Sequence, residues 1–157
     1  MINLVHSLLF AAALVQAQAA TPAPQSTGAT VNSEVLFWPH GVSPLGIDHK
    51  DTFANHGLQI SHREKSGNVE VHLTKTDVMV IQEGTATLLY GGEGVGMHPT
   101  APNELQGTTI VGGQSRRVSP GDVIHIPTGV PHQFILAPGE KITYLVVKVV
   151  DPPPTTK

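Results

Sequence analysis

Short runs rich in Val, Ile and Thr, separated by Gly, Asn and Pro, make up residues 58–150 of the chain. After residue 20, no window sustains apolar side chains at positions i, i+3, i+4 and i+7, the spacing of an amphipathic helix. The 16 Gly and 13 Pro among 157 residues provide many turns between short elements. The pattern therefore predicts an all-β fold of about nine strands, arranged as a sandwich or barrel. The predicted strands cover residues 58–64, 69–73, 77–82, 85–90, 108–111, 115–118, 122–126, 132–137 and 142–150.

Three segments lack this strand pattern. Residues 34–38 form an apolar cluster closed by Pro39, and we expect a short helix or strand that lies over the main body. Residues 41–57 are rich in Gly, Pro, Asp and His without a period, which predicts a long surface loop. Residues 91–107 contain Gly and Pro at irregular spacing, and we expect a second long loop rather than a strand pair.

The amino-terminal residues have the features of an export signal. Residues 8–15 are apolar, and Ala17-Gln18-Ala19 provides the small residues of a cleavage site, after Ala17 or Ala19. Because residues 1–7 contain no Lys or Arg, an amino-terminal helix of the mature fold is the alternative. The apolar stretch is too short to span a bilayer, so we expect a periplasmic or secreted protein with no membrane contact after cleavage.

The predicted organisation follows from these segments. It comprises a signal peptide over residues 1–19, a flexible linker rich in Pro, Ser, Thr and Gly over 20–33, a β domain over 34–151 and a tail over 152–157.

Composition excludes several classes of partner and site. The net charge is −3, and the longest basic run is Arg116-Arg117, which argues against nucleic acid and anionic membranes as partners. The chain has no Cys, which excludes disulfides, thiolate metal ligands and cysteine nucleophiles. An exported chain of this kind depends on its core or on a metal for stability. The chain has nine His but a single Trp, so histidine is unusually frequent in its composition.

Two segments place metal-ligating side chains close together. Alternation along residues 69–73 puts Glu70 and His72 on one face of a strand. Asp77 opens the next predicted strand, where a turn can return its carboxylate to the same pocket. His132 begins a strand directly after a turn rich in Pro and Gly. Two imidazoles with one or two carboxylates on neighbouring strands can hold a divalent metal and leave positions open for a substrate.

These residues resemble the two sequence motifs of the cupin superfamily. The second motif reads Gly, five residues, Pro-x-Gly, two residues and His, and it is matched at Gly121, Pro127, Gly129 and His132. Its final Asn is replaced by Leu136.

The first cupin motif is matched in part. His72 and Gly84 stand at the expected spacing, whereas Glu70 replaces the first His, Asp77 replaces the Glu, and Glu64 occupies the place of the leading Gly. With the flanking strands, the resemblance covers residues 58–150. Within the superfamily, the chain is similar to small single-domain bacterial cupins, the cupin type-2-like monocupins.

The resemblance implies a cupin jelly-roll barrel with a short amino-terminal extension. It further implies one divalent transition metal ion, Mn, Fe or Zn, held by His72, Asp77, His132 and Glu70. The implied function is a metalloenzyme of dioxygenase, isomerase or lyase type acting on a small organic substrate. The alternatives are a non-catalytic module that binds a sugar or other small molecule, and a metal-free structural cupin.

Glu70 has two interpretations. If Ser66-Gly67 forms a two-residue turn, Arg63 and Glu70 are cross-strand neighbours, and a salt bridge competes with metal ligation. The same register turns His62 away from the pocket. We expect the remaining histidines to lie outside the ligand set, although a loop histidine over the barrel mouth could act as an acid or base.

Both faces of the strand that carries Glu70 are expected to be covered. The pocket side is predicted to be mostly apolar, as small-molecule sites usually are, with Met79, Ile81, Phe134 and Leu136 pointing inward. The opposite face carries Val69, Val71 and Leu73 and needs either residues 34–38 or a second subunit to cover it, which favours a homodimer.

Overall fold

The computed structural model describes residues 35–43, 45–47 and 49–151 of the chain. This part contains thirteen β-strands, one 3-10 turn at Pro39–Gly41 and no α-helix, so the all-β prediction is confirmed. The strands are β1 Lys50–Thr52, β2 His56–Arg63, β3 Val69–His72, β4 Lys75–Gly84, β5 Ala86–Tyr90, β6 Glu93–Val95, β7 His98–Ala101, β8 Glu104–Gly107, β9 Thr109–Val111, β10 Gln114–Val118, β11 Val123–Ile126, β12 His132–Ile135 and β13 Ile142–Val150.

Two antiparallel sheets organise the fold. The five-stranded sheet has the order β1-β2-β13-β4-β11, and the six-stranded sheet has the order β10-β5-β12-β3-β8-β7. Strands β6 and β9 form a separate antiparallel pair. Neighbours that are distant in sequence, such as β2 and β13, are the crossovers of a jelly roll.

The core lies between the facing sides of the two sheets. In β13, Tyr144 and Val146 are buried and point to the same side, as strand alternation requires. The ring of Tyr144 meets the ring of Phe134 from β12 with a centroid distance of 4.9 Å, which joins the two sheets. The predicted inward side chains are found in or against this core: Met79, Ile81, Phe134 and Leu136.

The prediction that residues 41–57 and 91–107 form long loops is wrong in part. Residues 91–107 include β6, β7 and β8, and β7 pairs with β8. Residues 41–57 include β1, which pairs with β2. Strand β7 lies at the edge of its sheet with all four residues exposed, and Pro99 is tolerated there because an edge position needs no backbone donor. An exposed edge strand has no apolar alternation, so the pattern could not reveal it.

The β2–β3 hairpin that was considered as one interpretation of Glu70 is not formed. Strand β2 pairs with β1 and β13, whereas β3 pairs with β8 and β12, so the two strands belong to different sheets. The backbone N–H of Gly67 donates to the carbonyl of Phe134 instead of closing a hairpin. The segment at Ser66-Gly67 therefore carries the chain from one sheet to the other.

The apolar face of β3 is largely buried. Val69 and Val71 are buried in the chain, while Leu73 is 46% exposed. The short helix or strand expected at residues 34–38 is not found in the described part of this segment, since residues 35–38 form neither and Phe37 is 75% exposed. The homodimer stays a prediction.

The remaining sequence predictions concern the ends of the chain. No helix in the described ranges is long and apolar enough to cross a membrane. The predicted signal peptide, linker and tail lie outside the described residues.

Candidate metal centre

Two buried imidazoles form the centre of the candidate site. His72 ends β3 and His132 begins β12, and the two strands are neighbours in the six-stranded sheet. Glu70 is the direct register partner of His132, so alternation along β3 places Glu70 and His72 on the same side as His132. The centroids of the two imidazole rings lie 5.3 Å apart.

The four predicted ligands are brought together by both sheets. Glu70, His72 and His132 each offer one ligand atom within 4.8 Å of the other two. Asp77 comes from β4 in the opposite sheet, and its Oδ2 lies 3.2 Å from Nε2 of His72 and 3.8 Å from Nε2 of His132. The Asp77 side chain is 1% exposed, so this carboxylate is desolvated and held against both imidazoles.

His132 has the arrangement of a metal ligand. Its Nδ1–H donates to the carbonyl of Val130 at 3.0 Å, which leaves Nε2 unprotonated in the neutral ring. That Nε2 is buried and has no hydrogen-bond partner among the described residues. Burial lowers the pKa of His132, so the ring is neutral near pH 7. A buried nitrogen lone pair without a partner, with the ring oriented through its other nitrogen, fits a divalent metal.

His72 is held at both nitrogens. Nδ1 pairs with a carboxylate oxygen of Glu104, and Lys75 Nζ donates to the other oxygen of Glu104 at 3.0 Å. Nε2 lies 2.8 Å from Nζ of Lys148. Burial has the largest effect and lowers the pKa of His72, as does the charge of Lys148. The hydrogen bond and charge of Asp77 and the hydrogen bond to Glu104 together outweigh these two effects, and the pKa lies above its usual value. A carboxylate behind the ring is the common means of orienting a ligating histidine.

Asp77 is paired with an ammonium group. Lys148 Nζ donates to both carboxylate oxygens of Asp77 at 2.9 Å. Burial raises the pKa of Asp77, but the hydrogen bond from His72 and the charge of Lys148 more than compensate, and the pKa lies below its usual value. The carboxylate is therefore ionised at neutral pH, as a metal ligand must be.

Glu70 is placed for both of the interpretations considered from the sequence. Its Oε1 lies 3.3 Å from Nη2 of Arg63, and it also belongs to the group with His72 and His132. Arg63 donates through Nε to the hydroxyl of Tyr144 at 2.9 Å. The salt bridge is formed across the two sheets, not within a hairpin. The guanidinium thus orients the carboxylate toward the imidazoles, and ligation and ion pairing are compatible.

Sequence reasoning missed Glu104 and Lys148. Glu104 lies in the segment that was expected to be a loop, so no alternation pointed to it. Lys148 continues the inward row of Tyr144 and Val146 along β13, and this alternation was a usable signal.

The other histidines that were weighed lie apart from the ligand group. His125 and His98 are exposed, and His62 pairs with the hydroxyl of Thr143 at 2.9 Å on the outer side. His56 stacks on Phe53 with ring centroids 4.5 Å apart and lines a cavity beside the ligand group.

A cavity of about 470 Å³ opens between the sheets beside the ligand group. Glu70, His72 and Asp77 lie in its wall, together with Lys148 and Glu104. Residues of β1 and of the β7–β8 pair also line it. The volume is within the range of small-molecule sites.

The family comparison agrees with the second motif. The family model described as "Cupin domain" matches residues 106–148, which contain the turn before His132 and the strand with Lys148. The first motif lies outside the matched range. No curated protein matches. The family match over residues 106–148, on a chain that forms a jelly roll, confirms the predicted resemblance to the cupin superfamily.

Several solved structures are similar to the chain. The polyketide cyclase RemF from Streptomyces resistomycificus is 24% identical, with 64% of this chain and 58% of that chain covered and a TM-score of 0.43. The DMSP lyase DddQ from Ruegeria pomeroyi DSS-3 is 20% identical, with 62% and 39% covered and a TM-score of 0.44. A cupin protein from Bacteroides fragilis is 13% identical, with 67% and 74% covered and a TM-score of 0.42. The chain thus spans 58% of the length of the cyclase and 39% of that of the lyase.

Proposed function

We propose that the protein is an exported metalloenzyme that uses one divalent transition metal ion, Mn, Fe or Zn, on a small organic molecule bound in the cavity. The observation that carries the proposal is the buried, unpartnered Nε2 of His132. Without a ligand for this atom, the chain would bear the cost of a buried polar group that makes no hydrogen bond. His72, Glu70 and Asp77 supply further donors within reach of the same point.

The residues of the site would have different roles, either as metal ligands or as groups that orient those ligands. His132, His72, Glu70 and Asp77 would hold the ion, which supplies Lewis-acid or redox chemistry when bound. The Val130 carbonyl orients His132, Glu104 orients His72, and Arg63 orients Glu70. The cavity places a small molecule beside this group. Dioxygenase, isomerase and lyase reactions are all consistent with such a site.

Metal analysis tests the proposal directly. Protein purified without an affinity tag is expected to carry about one equivalent of transition metal by mass spectrometry. Removal of the metal by a chelator is expected to lower the melting temperature by about 5 to 10 °C, since a ligand at 100 times its Kd contributes about 2.7 kcal/mol. Added Mn²⁺, Fe²⁺ or Zn²⁺ should restore it. Metal-free protein that melts identically with and without the chelator would remove the metalloenzyme proposal.

A second candidate function, metal-independent binding of a small molecule, is favoured by one observation. Lys148 Nζ lies 2.8 Å from Nε2 of His72 and 2.9 Å from both oxygens of Asp77, so an internal cation already serves two of the donors. His132 Nε2 has no such partner. The same metal analysis separates the two functions, because only the metalloenzyme retains stoichiometric metal.

The Glu70–Arg63 pair provides a second test of the ligand set. Glu70→Gln is expected to weaken metal affinity and to change the metal preference, because a hard anionic oxygen is lost. Stability should also fall, although Arg63 keeps its bond to Tyr144. The double variant Arg63→Met with Glu70→Gln should recover stability, since both charges leave together, but not metal affinity. Unchanged metal affinity in Glu70→Gln, measured by calorimetry, would reduce the ligand set to His72, Asp77 and His132.

Export is part of the proposal, and the amino terminus of the mature protein tests it separately. Its support is the apolar run and the Ala17-Gln18-Ala19 site in the sequence. The mature protein is expected to begin at Gln18 or Ala20, and the intact mass of protein from the periplasm or medium would show this. Met1 retained on soluble cytoplasmic protein would contradict export and support the amino-terminal helix.

A further inference from the structure

With the imidazole of His72 neutral, as metal ligation requires, the charges that line the cavity balance before a metal binds. Among the described lining residues, the cations are Lys50, Arg63, Lys75 and Lys148, and the carboxylates are Asp51, Glu70, Asp77 and Glu104. The two sets are equal in number. A bound divalent ion therefore leaves the cavity with two uncompensated positive charges, and a partly desolvated cavity with such an excess attracts an anion.

Each lining carboxylate already has partners in the chain. Asp77 accepts from Lys148, Glu70 from Arg63, and Glu104 from Lys75. Asp51 accepts from the indole of Trp38 at 3.2 Å and pairs with His49 at 3.0 Å. These carboxylates are engaged, so they cannot neutralise further positive charge without losing a contact.

Lys148 is the cation that a metal would release. Its ammonium has three donors, and its partners are His72 Nε2 and the two oxygens of Asp77. Both residues belong to the candidate ligand set. When their lone pairs serve a metal, Lys148 keeps its charge and gains unused donors. Its side chain is 27% exposed and lines the cavity, so those donors are accessible to a bound molecule.

The cavity also offers apolar surface. Phe53, Met79 and Val146 are among the residues that line it. Apolar walls with a few convergent charged groups suit a molecule with an apolar body and one charged end.

From this arrangement we infer that the cavity binds a small organic carboxylate, and that Lys148 receives the carboxylate group beside the metal. The inference rests on the proposed function, because the excess positive charge comes from the divalent ion. Lys50 adds to the attraction at the mouth, since it forms no ion pair with any other described residue. A charge-assisted hydrogen bond from an ammonium to a carboxylate is about twice as strong as a neutral one, so the neutral amide of the same acid should bind less well.

Calorimetry with matched acids and amides tests the inference. The protein is first titrated with MnCl2, which measures metal affinity by itself. The Mn²⁺-loaded protein is then titrated with propionate and propionamide, succinate and succinamide, and benzoate and benzamide. At least one acid is expected to bind about tenfold more tightly than its amide. Lys148→Met should reduce that preference while Mn²⁺ affinity is kept or raised, because the internal cation that shares His72 and Asp77 is gone.

Two variants support the comparison. Lys50→Met removes an exposed charge at the mouth without leaving a buried carboxylate, and it should weaken the preferred acid about threefold even if Lys148→Met fails to fold. Lys141→Met is the matched control, because Lys141 is an exposed surface partner of Glu64 and does not line the cavity. This variant should bind acids as the wild type does.

The outcomes separate the inference from the proposed function. If Mn²⁺ binds but no acid is preferred over its amide, or if Lys50→Met and Lys148→Met both match Lys141→Met, the carboxylate inference is overturned and the metal site stands. If MnCl2 produces no binding signal, the proposed function fails, and the inference fails with it because the excess charge is then absent.

Discussion

His132→Ala is expected to lower the affinity for a divalent transition metal by at least about 100-fold, because losing a ligand costs more than the 10- to 100-fold typical of losing a supporting group. His132 supplies the one nitrogen of the site that is buried, unprotonated and unpartnered. His72→Ala should have a similar effect. Metal content after dialysis and a calorimetric titration measure both variants, and circular dichroism verifies that each keeps its β structure.

His62→Ala and His98→Ala are the controls. Both side chains are exposed and lie outside the ligand group. They should retain the metal affinity of the wild type. Loss of the metal in His98→Ala, with retention in His132→Ala, would show that the ion binds elsewhere.

Lys148→Met is expected to destabilise the metal-free protein by about 3 kcal/mol at pH 7, because Asp77 then remains as a buried carboxylate without its ammonium partner. The Asp77 side chain is 1% exposed and cannot recover its hydration. We take the lower end of the range for broken buried pairs, since Lys148 is itself partly exposed. Chemical denaturation of both proteins with chelator present provides the measurement.

The pH dependence of this difference has a defined sign. In the wild type the pKa of Asp77 lies below its usual value, so its ionised form contributes stability above about pH 4 that is lost as the pH falls through the folded-state pKa. Without Lys148 much of this contribution is absent. The difference between the two proteins should therefore be largest near neutral pH and should shrink in acid. A difference that is constant down to pH 3 would contradict the role assigned to Asp77.

The fold could be predicted where burial imposes a period on the sequence. Strand β4 alternates between buried and less buried side chains along most of its length, and β13 does so over residues 144–147. Both strands were predicted near their observed limits. The turn before His132 has a specific Pro and Gly spacing, which placed this histidine without knowledge of the sheets. Strands β1 and β7 lie at sheet edges, where exposure removes the alternation.

The proximity of the candidate ligands could be predicted from the sequence, but the side chains that support them could not. Glu70 and His72 share a face because of a two-residue period, a local property that the sequence carries. Glu104 reaches His72 only because β8 pairs beside β3, and Arg63 reaches Glu70 only because the two sheets face each other. Such contacts depend on strand order. A wrong hairpin register led to the right ion pair because both arrangements bring residue 63 near residue 70.

The candidate ligands are divided between the two sheets, since Asp77 belongs to one and Glu70, His72 and His132 belong to the other. An ion coordinated by both groups would act as a cross-link in a chain that has no cysteine. Separation of the sheets would then require the ion to dissociate first, so the lifetime of the folded state would be governed by metal release as well as by the packing of the core. Amide protons in β3 and β4 would exchange with solvent at a rate limited by that release.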